Sequence, residues 1–211
     1  MTIQTMAKDL VVLVADGQME FAVRGLLTRG PSLQFRNLSF DIWVHPEKDP
    51  GCLRRAHGFL RSFSRQYGHA LVMLDREGCG RDDRSRETLE SEIELRLAGS
   101  GWHDRAAAIV IDPELEVWVW SDSPEVAAIL GWTGHQPTLA QWLDQQGHCA
   151  LGQGKPQKAK LALDDALRLS GKRRSSAIFR QLAERVSLRR CTDPALLKFK
   201  TLLQTWFAPD S

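Results

Sequence analysis

Apolar and polar positions follow two different periods along this chain, and the switches between them lay out its elements. Leu10-Val11-Val12-Leu13-Val14-Ala15 is a continuous, largely β-branched apolar run, the pattern of a strand covered on both faces. It stops at Asp16-Gly17, a turn signal. From Gln18 to Arg29, Phe21, Ala22, Val23, Leu26 and Leu27 form a broad helical face that Gly30-Pro31 closes. Phe40-Asp41-Ile42-Trp43-Val44 predicts a second strand ended by His45-Pro46, and Pro46 to Gly51 reads as a connecting loop. A helix from about Cys52 to Tyr67 turns Leu53, Ala56, Leu60 and Phe63 inward. Arg54, Arg55, Arg61 and Arg65 lie on its flanks, where arginines ordinarily form a solvated face.

The third apolar run, His69 to Leu74, ends abruptly in Asp75-Arg76-Glu77-Gly78. After a charged loop a helix from Ser85 carries Leu89, Ile93 and Leu97 four apart, and Gly99-Ser100-Gly101 stops it. Ala106 to Ile111 is the fourth strand. Asp112-Pro113 then reads as an N-cap and first-turn pair for a short helix over 114–120. The rival pattern there is a strand with Leu115, Val117 and Val119 on one face. The remainder predicts helices over 124–130, 138–146, 158–169, 176–186 and 194–206, with 147–156 as a loop. Strand alternating with helix argues for an α/β fold, a mostly parallel four-stranded sheet flanked by helices. The division expected is a core over 1–122 and a helical, basic region over 123–211 packed on it.

Length and composition change this picture little, and charge changes it more. The 211 residues suffice for a substantial core. Cys52, Cys79, Cys149 and Cys191 are scattered, with no Cys-x-x-Cys pair, so reduced thiols are expected. No run spans a bilayer and the start does not form a signal peptide, so a cytoplasmic location without membrane partners is expected. Residues 155–211 hold 13 Lys and Arg against 5 Asp and Glu. Such a basic rear fits either a polyanion partner or ordinary solvated helix faces.

Several chemistries fall away. Gln153-Gly154-Lys155-Pro156 fails as a phosphate loop, because Cys149 stands at its first glycine and Pro156 lacks the magnesium-binding hydroxyl. The six histidines form no i, i+4 zinc pair, there is no Gly-x-Ser-x-Gly elbow, and acids beside Cys79 disfavour its thiolate. The carboxylates stay. Asp75 and Glu77 follow one strand, Asp16 and Glu20 follow another, and Glu116 lies past a third, so a parallel sheet brings them toward one edge. Each alone is an ordinary cap. Together they would repel unless a divalent cation sat among them, and oxygen-only ligands select Mg²⁺ or Mn²⁺.

Val14-Ala15-Asp16-Gly17-Gln18-Met19-Glu20 followed by Leu74-Asp75-Arg76-Glu77 resembles the Toprim domain of topoisomerases, primases and OLD-type nucleases. Pro113 to Trp118, Lys155-Pro156, Phe179 to Glu184 and Cys191 to Leu197 extend the likeness to a compact Toprim-like family. The Arg-rich form here looks like a component of bacterial methylation-associated defence against phage. Toprim domains usually carry Glu where Asp16 stands and Asp-x-Asp where Asp75-x-Glu77 stands. The resemblance implies a Toprim fold and a Mg²⁺- or Mn²⁺-dependent nuclease, a hydrolase of phosphodiesters. In it Asp75, Glu77 and Asp16 would hold metal, Glu20 would handle the attacking water and Glu116 would support from outside. Lys155 would contact the scissile phosphate. Arg173, Arg174, Arg180, Arg189 and Arg190 are the candidates for nucleic-acid binding, DNA ahead of RNA. The alternatives are a non-catalytic adaptor for DNA or defence proteins and, behind it, a nucleotidyl transferase.

Overall fold

The four apolar runs become four parallel strands: β1 (Lys8–Val14), β2 (Phe40–Val44), β3 (Tyr67–Asp75) and β4 (Ala106–Ile111). The structure, a computed structural model, describes residues 8–121, 123–149, 155–188 and 191–209. The strand order is β2-β1-β3-β4, with Val12 opposite Ile42 and Leu71, and Val72 opposite Ala108. The two central strands are almost wholly buried, which is why their sequences show no alternation, whereas the edge strand β2 is half open.

The helices are α1 (Gly17–Leu27), α2 (Gly30–Leu33), α3 (Lys48–Leu60), α4 (Arg86–Leu97), α5 (Pro124–Ile129), α6 (Leu139–Gln145), α7 (Ala159–Leu169), α8 (Ser176–Arg185) and α9 (Pro194–Trp206). The chain is therefore an α/β protein with an all-parallel four-stranded sheet flanked by helices. The step from β1 to β2 runs one way across the sheet, and those from β2 to β3 and β3 to β4 run the other. Right-handed crossovers then place α1 on one face and α3 and α4 on the opposite face.

The C-terminal helices are part of the same core. Leu163, Phe179 and Phe199 belong to one apolar cluster with Val12, Leu26 and Leu71. Helix α8 lies tight against α1 because Gly25 has no side chain: a Cβ there would stand 2.8 Å from the Ala183 Cβ and 2.9 Å from the Arg180 carbonyl. The β4 edge is sealed by side chains. Glu94 and Glu90 of α4 each accept a backbone N–H from Ala108 and Val110 at 3.0 Å, and Lys198 of α9 reaches both glutamates, at 2.8 and 3.1 Å. Buried tryptophans fasten segments together, as when the Trp102 indole donates to the Leu60 carbonyl and that of Trp120 to Ala159.

Two local expectations are corrected. The connection over 46–51 is not all loop, since α3 begins at Lys48 and takes Pro50 into its first turn, where a missing N–H costs nothing. Asp112-Pro113 does not start a helix. Asp112 instead pairs with Arg76 at 2.8 Å, Glu114 is extended, and only a 3₁₀ turn over Leu115–Trp118 follows. Neither a longer helix nor the rival strand forms there. Among the described residues no helix is long and apolar enough to cross a membrane.

Candidate functional site

In a sheet of this order the connections from β1 and β3 leave in opposite directions, opening a crevice at their carboxyl ends. An acid stands at each of those ends. Asp16 follows β1 and caps α1, its Oδ1 accepting the Met19 N–H at 2.8 Å. Asp75 closes β3, and its backbone N–H donates to Oδ1 of Asp49 in the first turn of α3, also at 2.8 Å.

The electrostatics single out Asp75. Its Oδ1 is buried and has no hydrogen-bond partner among the described residues. Burial pushes its carboxyl well above the usual carboxylate range, and the negative charges of Asp49, Asp16 and Glu114 push it further. Asp49 is raised as well, first by burial and then by Asp16, against the steadying N–H of Asp75. Asp16 thus opposes the charge on both Asp49 and Asp75, and Asp49 opposes it on Asp75.

The facing wall comes from the 3₁₀ turn after β4 and from the C-terminal helices. Glu116 is buried and paired with Arg174, which also donates to Gln18 at 2.7 Å and Asp164 at 2.8 Å and lies 5.4 Å over the Phe179 ring. Burial depresses the Arg174 guanidinium, while Glu114, Asp16 and Asp75 work to keep its charge. Glu114, also buried, accepts from the Lys160 backbone at 3.2 Å and from its ammonium at 3.3 Å. Burial opposes the charge on Lys160, but Glu114, Asp75 and Glu77 outweigh it, so its pKa is raised. Asp16, Asp75, Glu116, Lys160, Asp164 and Arg174 line an open cleft of about 490 Å³, which has room for a hydrated ion and a phosphate group beside it.

The other sequence candidates lie elsewhere. Glu77 is exposed and does not line the cleft; its backbone N–H bonds to the Pro113 carbonyl at 2.9 Å. Glu20 pairs with Arg24 along α1 at 2.9 Å. Lys155 is exposed and is not part of the cleft lining. Arg173 is exposed, Arg180 is exposed and tied to Glu184 at 2.7 Å, and Arg189 and Arg190 lie outside the described residues. Arg174 is a half-buried part of the cleft wall, whereas its expected place was an open basic surface. Asp49, Lys160 and Asp164 are the residues that sequence reasoning misses. None of the three carries a sequence signal of its own: Asp49 lies five residues beyond the end of β2, and Lys160 and Asp164 read as ordinary helix charges.

As the side chains stand, no three His, Cys, Asp or Glu donors among the described residues converge as a preformed metal cage. Magnesium does not require one, because it keeps several waters and is commonly held by one or two carboxylates together with substrate phosphate. Asp75, with an unpartnered buried oxygen, and Asp16 across the crevice fit that demand in kind and number. Comparison of the chain with known protein families, with curated proteins and with solved structures finds no match in any of the three.

Proposed function

We propose that this chain is a metal-dependent nuclease or nuclease-like subunit, built on a Toprim-like form of the parallel sheet and serving bacterial anti-phage defence. The observation behind it is the Asp75 carboxylate, buried with an unpartnered oxygen at the switch point and facing two further acids. The lineage and the setting in defence rest on the motif resemblance around Asp16 and Asp75.

Asp75 and Asp16 would hold Mg²⁺ or Mn²⁺, with Asp49 beside them in the place the motif gives to Glu77. When bound, such an ion lowers the pKa of a water and stabilises the leaving oxygen of a phosphodiester. The rest is done by the chain. Asp49, which does not itself line the cleft, fixes the backbone of Asp75 by accepting its N–H. Lys160, exposed beside its partner Glu114, would present positive charge to a phosphate entering the cleft, while Arg174, held by Glu116 and Asp164, keeps the opposite wall in shape. Lys160 thus takes the role that the motif assigns to Lys155.

A second reading has its own support. Glu114 and Glu116 already have cationic partners, and a protonated Asp75 would relieve the remaining repulsion without any metal. The chain would then be an adaptor using the same fold to bind DNA or defence proteins. Cleavage assays separate the two. Pure protein with Mg²⁺ or Mn²⁺ is expected to cut DNA, tested with RNA and with both strandednesses, and Asp75→Ala to lower the rate at least about 100-fold. Undiminished cleavage by Asp75→Ala would sink the assignment, and no cleavage of any substrate by the wild type would favour the adaptor.

A further inference from the structure

The end of the sheet opposite the acids carries a second cleft whose chemistry is the reverse of the first. Arg61, Ser64 and Arg65, in and just after the 3₁₀ turn that follows α3, face Arg105 and Ser100 across about 570 Å³ of open space. Among the described residues no carboxylate lines it. The Arg105 guanidinium is pinned by four carbonyls, those of Tyr67 at 3.0 Å, Gly68 at 2.9 Å, Ser64 at 3.1 Å and Gly101 at 3.0 Å, and it lies 5.1 Å over the Trp102 ring. Carbonyls satisfy its N–H groups without cancelling its charge, so Arg105 is a fixed, unneutralised cation. Arg61 and Arg65 are exposed and form no ion pair among the described residues. Three guanidinium groups around one space repel one another, and an anion placed between them removes that cost.

Beyond the cleft, on the side of its 3₁₀ turn that carries Phe63, lies an aromatic pair that is not itself part of the cleft lining. Trp43, on the edge strand β2, is 45% exposed, unusual for so large an apolar ring, and its centroid lies 5.7 Å from that of Phe63. Phe63 sits between Ser62 and Ser64 in the turn that supplies the arginines. Forked N–H donors suit phosphate oxygens, and an open indole face suits an unpaired base.

From this juxtaposition we propose that the cleft binds single-stranded nucleic acid, with phosphates held by Arg61, Arg65 and Arg105 and a base stacked on Trp43. A duplex keeps its bases inside and offers Trp43 nothing to stack on, so single strands are the preferred partner. Nothing in this depends on metal chemistry at the other end of the sheet.

The test is fluorescence anisotropy of a short labelled oligothymidylate with the full chain, in EDTA so that no metal contributes. Arg105 is left intact because it ties four carbonyls. The exposed pair is changed together as Arg61→Gln with Arg65→Gln, and circular dichroism checks that the fold is kept. The double variant should bind at least about tenfold more weakly, and its plot of log affinity against log salt should flatten by about 1.4, the loss of two phosphate contacts on a single strand. Trp43→Ala should weaken binding about tenfold, with Trp43→Phe recovering most of it. A folded double variant that binds as the wild type overturns the proposal. So does equal binding of a duplex of the same length, or a loss at Trp43→Ala that Trp43→Phe does not recover.

Discussion

A carboxylate at the end of a buried strand, facing two other acids, is at ease only with a proton or a cation beside it. Asp75 is in that position. Its folded-state pKa lies above the ordinary 3.8, so its contribution to stability is fully present below about pH 4 and is lost as pH rises toward its folded value. Metal-free protein at neutral pH therefore carries a strained site. Asp75→Asn removes the charge and keeps the shape. It should stabilise the metal-free protein at pH 7 by roughly 1–3 kcal/mol and gain nothing near pH 4, measured as denaturant midpoints at both pH values. Equal effects at the two pH values would assign the change to packing. Asp16 and Asp75 are legible in the sequence because an apolar strand that stops at an acid announces both the strand and its end. Asp49 is hidden by its neighbours, since Pro50-Gly51 reads as loop although a helix accepts proline in its first turn. Glu77 misleads because spacing alone does not show where a chain turns. After Asp75 the backbone stays beside the end of β4, with the Arg76 N–H on the Ile111 carbonyl at 2.8 Å, and Glu77 is left exposed.

At the scale of elements, the two edges of the sheet are treated differently. β4 is sealed: Glu90 is buried, accepts the Val110 N–H and is held by Arg86 at 2.9 Å and Lys198 at 3.1 Å. Glu90→Ala would leave the Val110 N–H unpaired and take one of two carboxylate partners from each of Arg86 and Lys198, and should cost about 1–3 kcal/mol in chemical denaturation. A loss under about 1 kcal/mol would show that solvent replaces the carboxylate freely. Among the described residues β2 has no such side-chain seal, and it carries exposed Trp43 and Val44. Strand and helix identities are legible because their periods differ, and α9 matches its expected span from Pro194 to Trp206, where Asp193 caps the helix by accepting the Leu196 N–H. The helical face that α7 turns to the cleft is not legible. Lys160 and Asp164, four apart, look in sequence like any solvated charged pair, and only the packing of α7 beside the 3₁₀ turn after β4 brings them to the acids.

The whole molecule is a sheet with opposite chemistry at its two ends. Acids gather where β1 and β3 finish, and arginines that form no ion pair among the described residues gather where β3 and β4 begin. The nine residues of β3 put about 26 Å between those ends, at the usual rise per residue. A strand of nucleic acid held at the basic end would have to run over a flank of the molecule to reach the acidic cleft. The excess of basic residues in the C-terminal region does not by itself locate a binding surface, because several are used internally: Arg174 secures Glu116, Lys160 secures Glu114, and Lys198 secures Glu90 and Glu94. The central claim, a cation held by Asp75 at the switch point, is tested most directly by thermal unfolding with and without Mn²⁺. An ion that binds only the folded chain at about 100 times its Kd adds about 2.7 kcal/mol, which for a chain of this size raises Tm by roughly 5–10 °C. The expected result is that rise in the wild type and none in Asp75→Asn. A wild-type Tm that does not move, or one that rises equally in Asp75→Asn, would contradict the account.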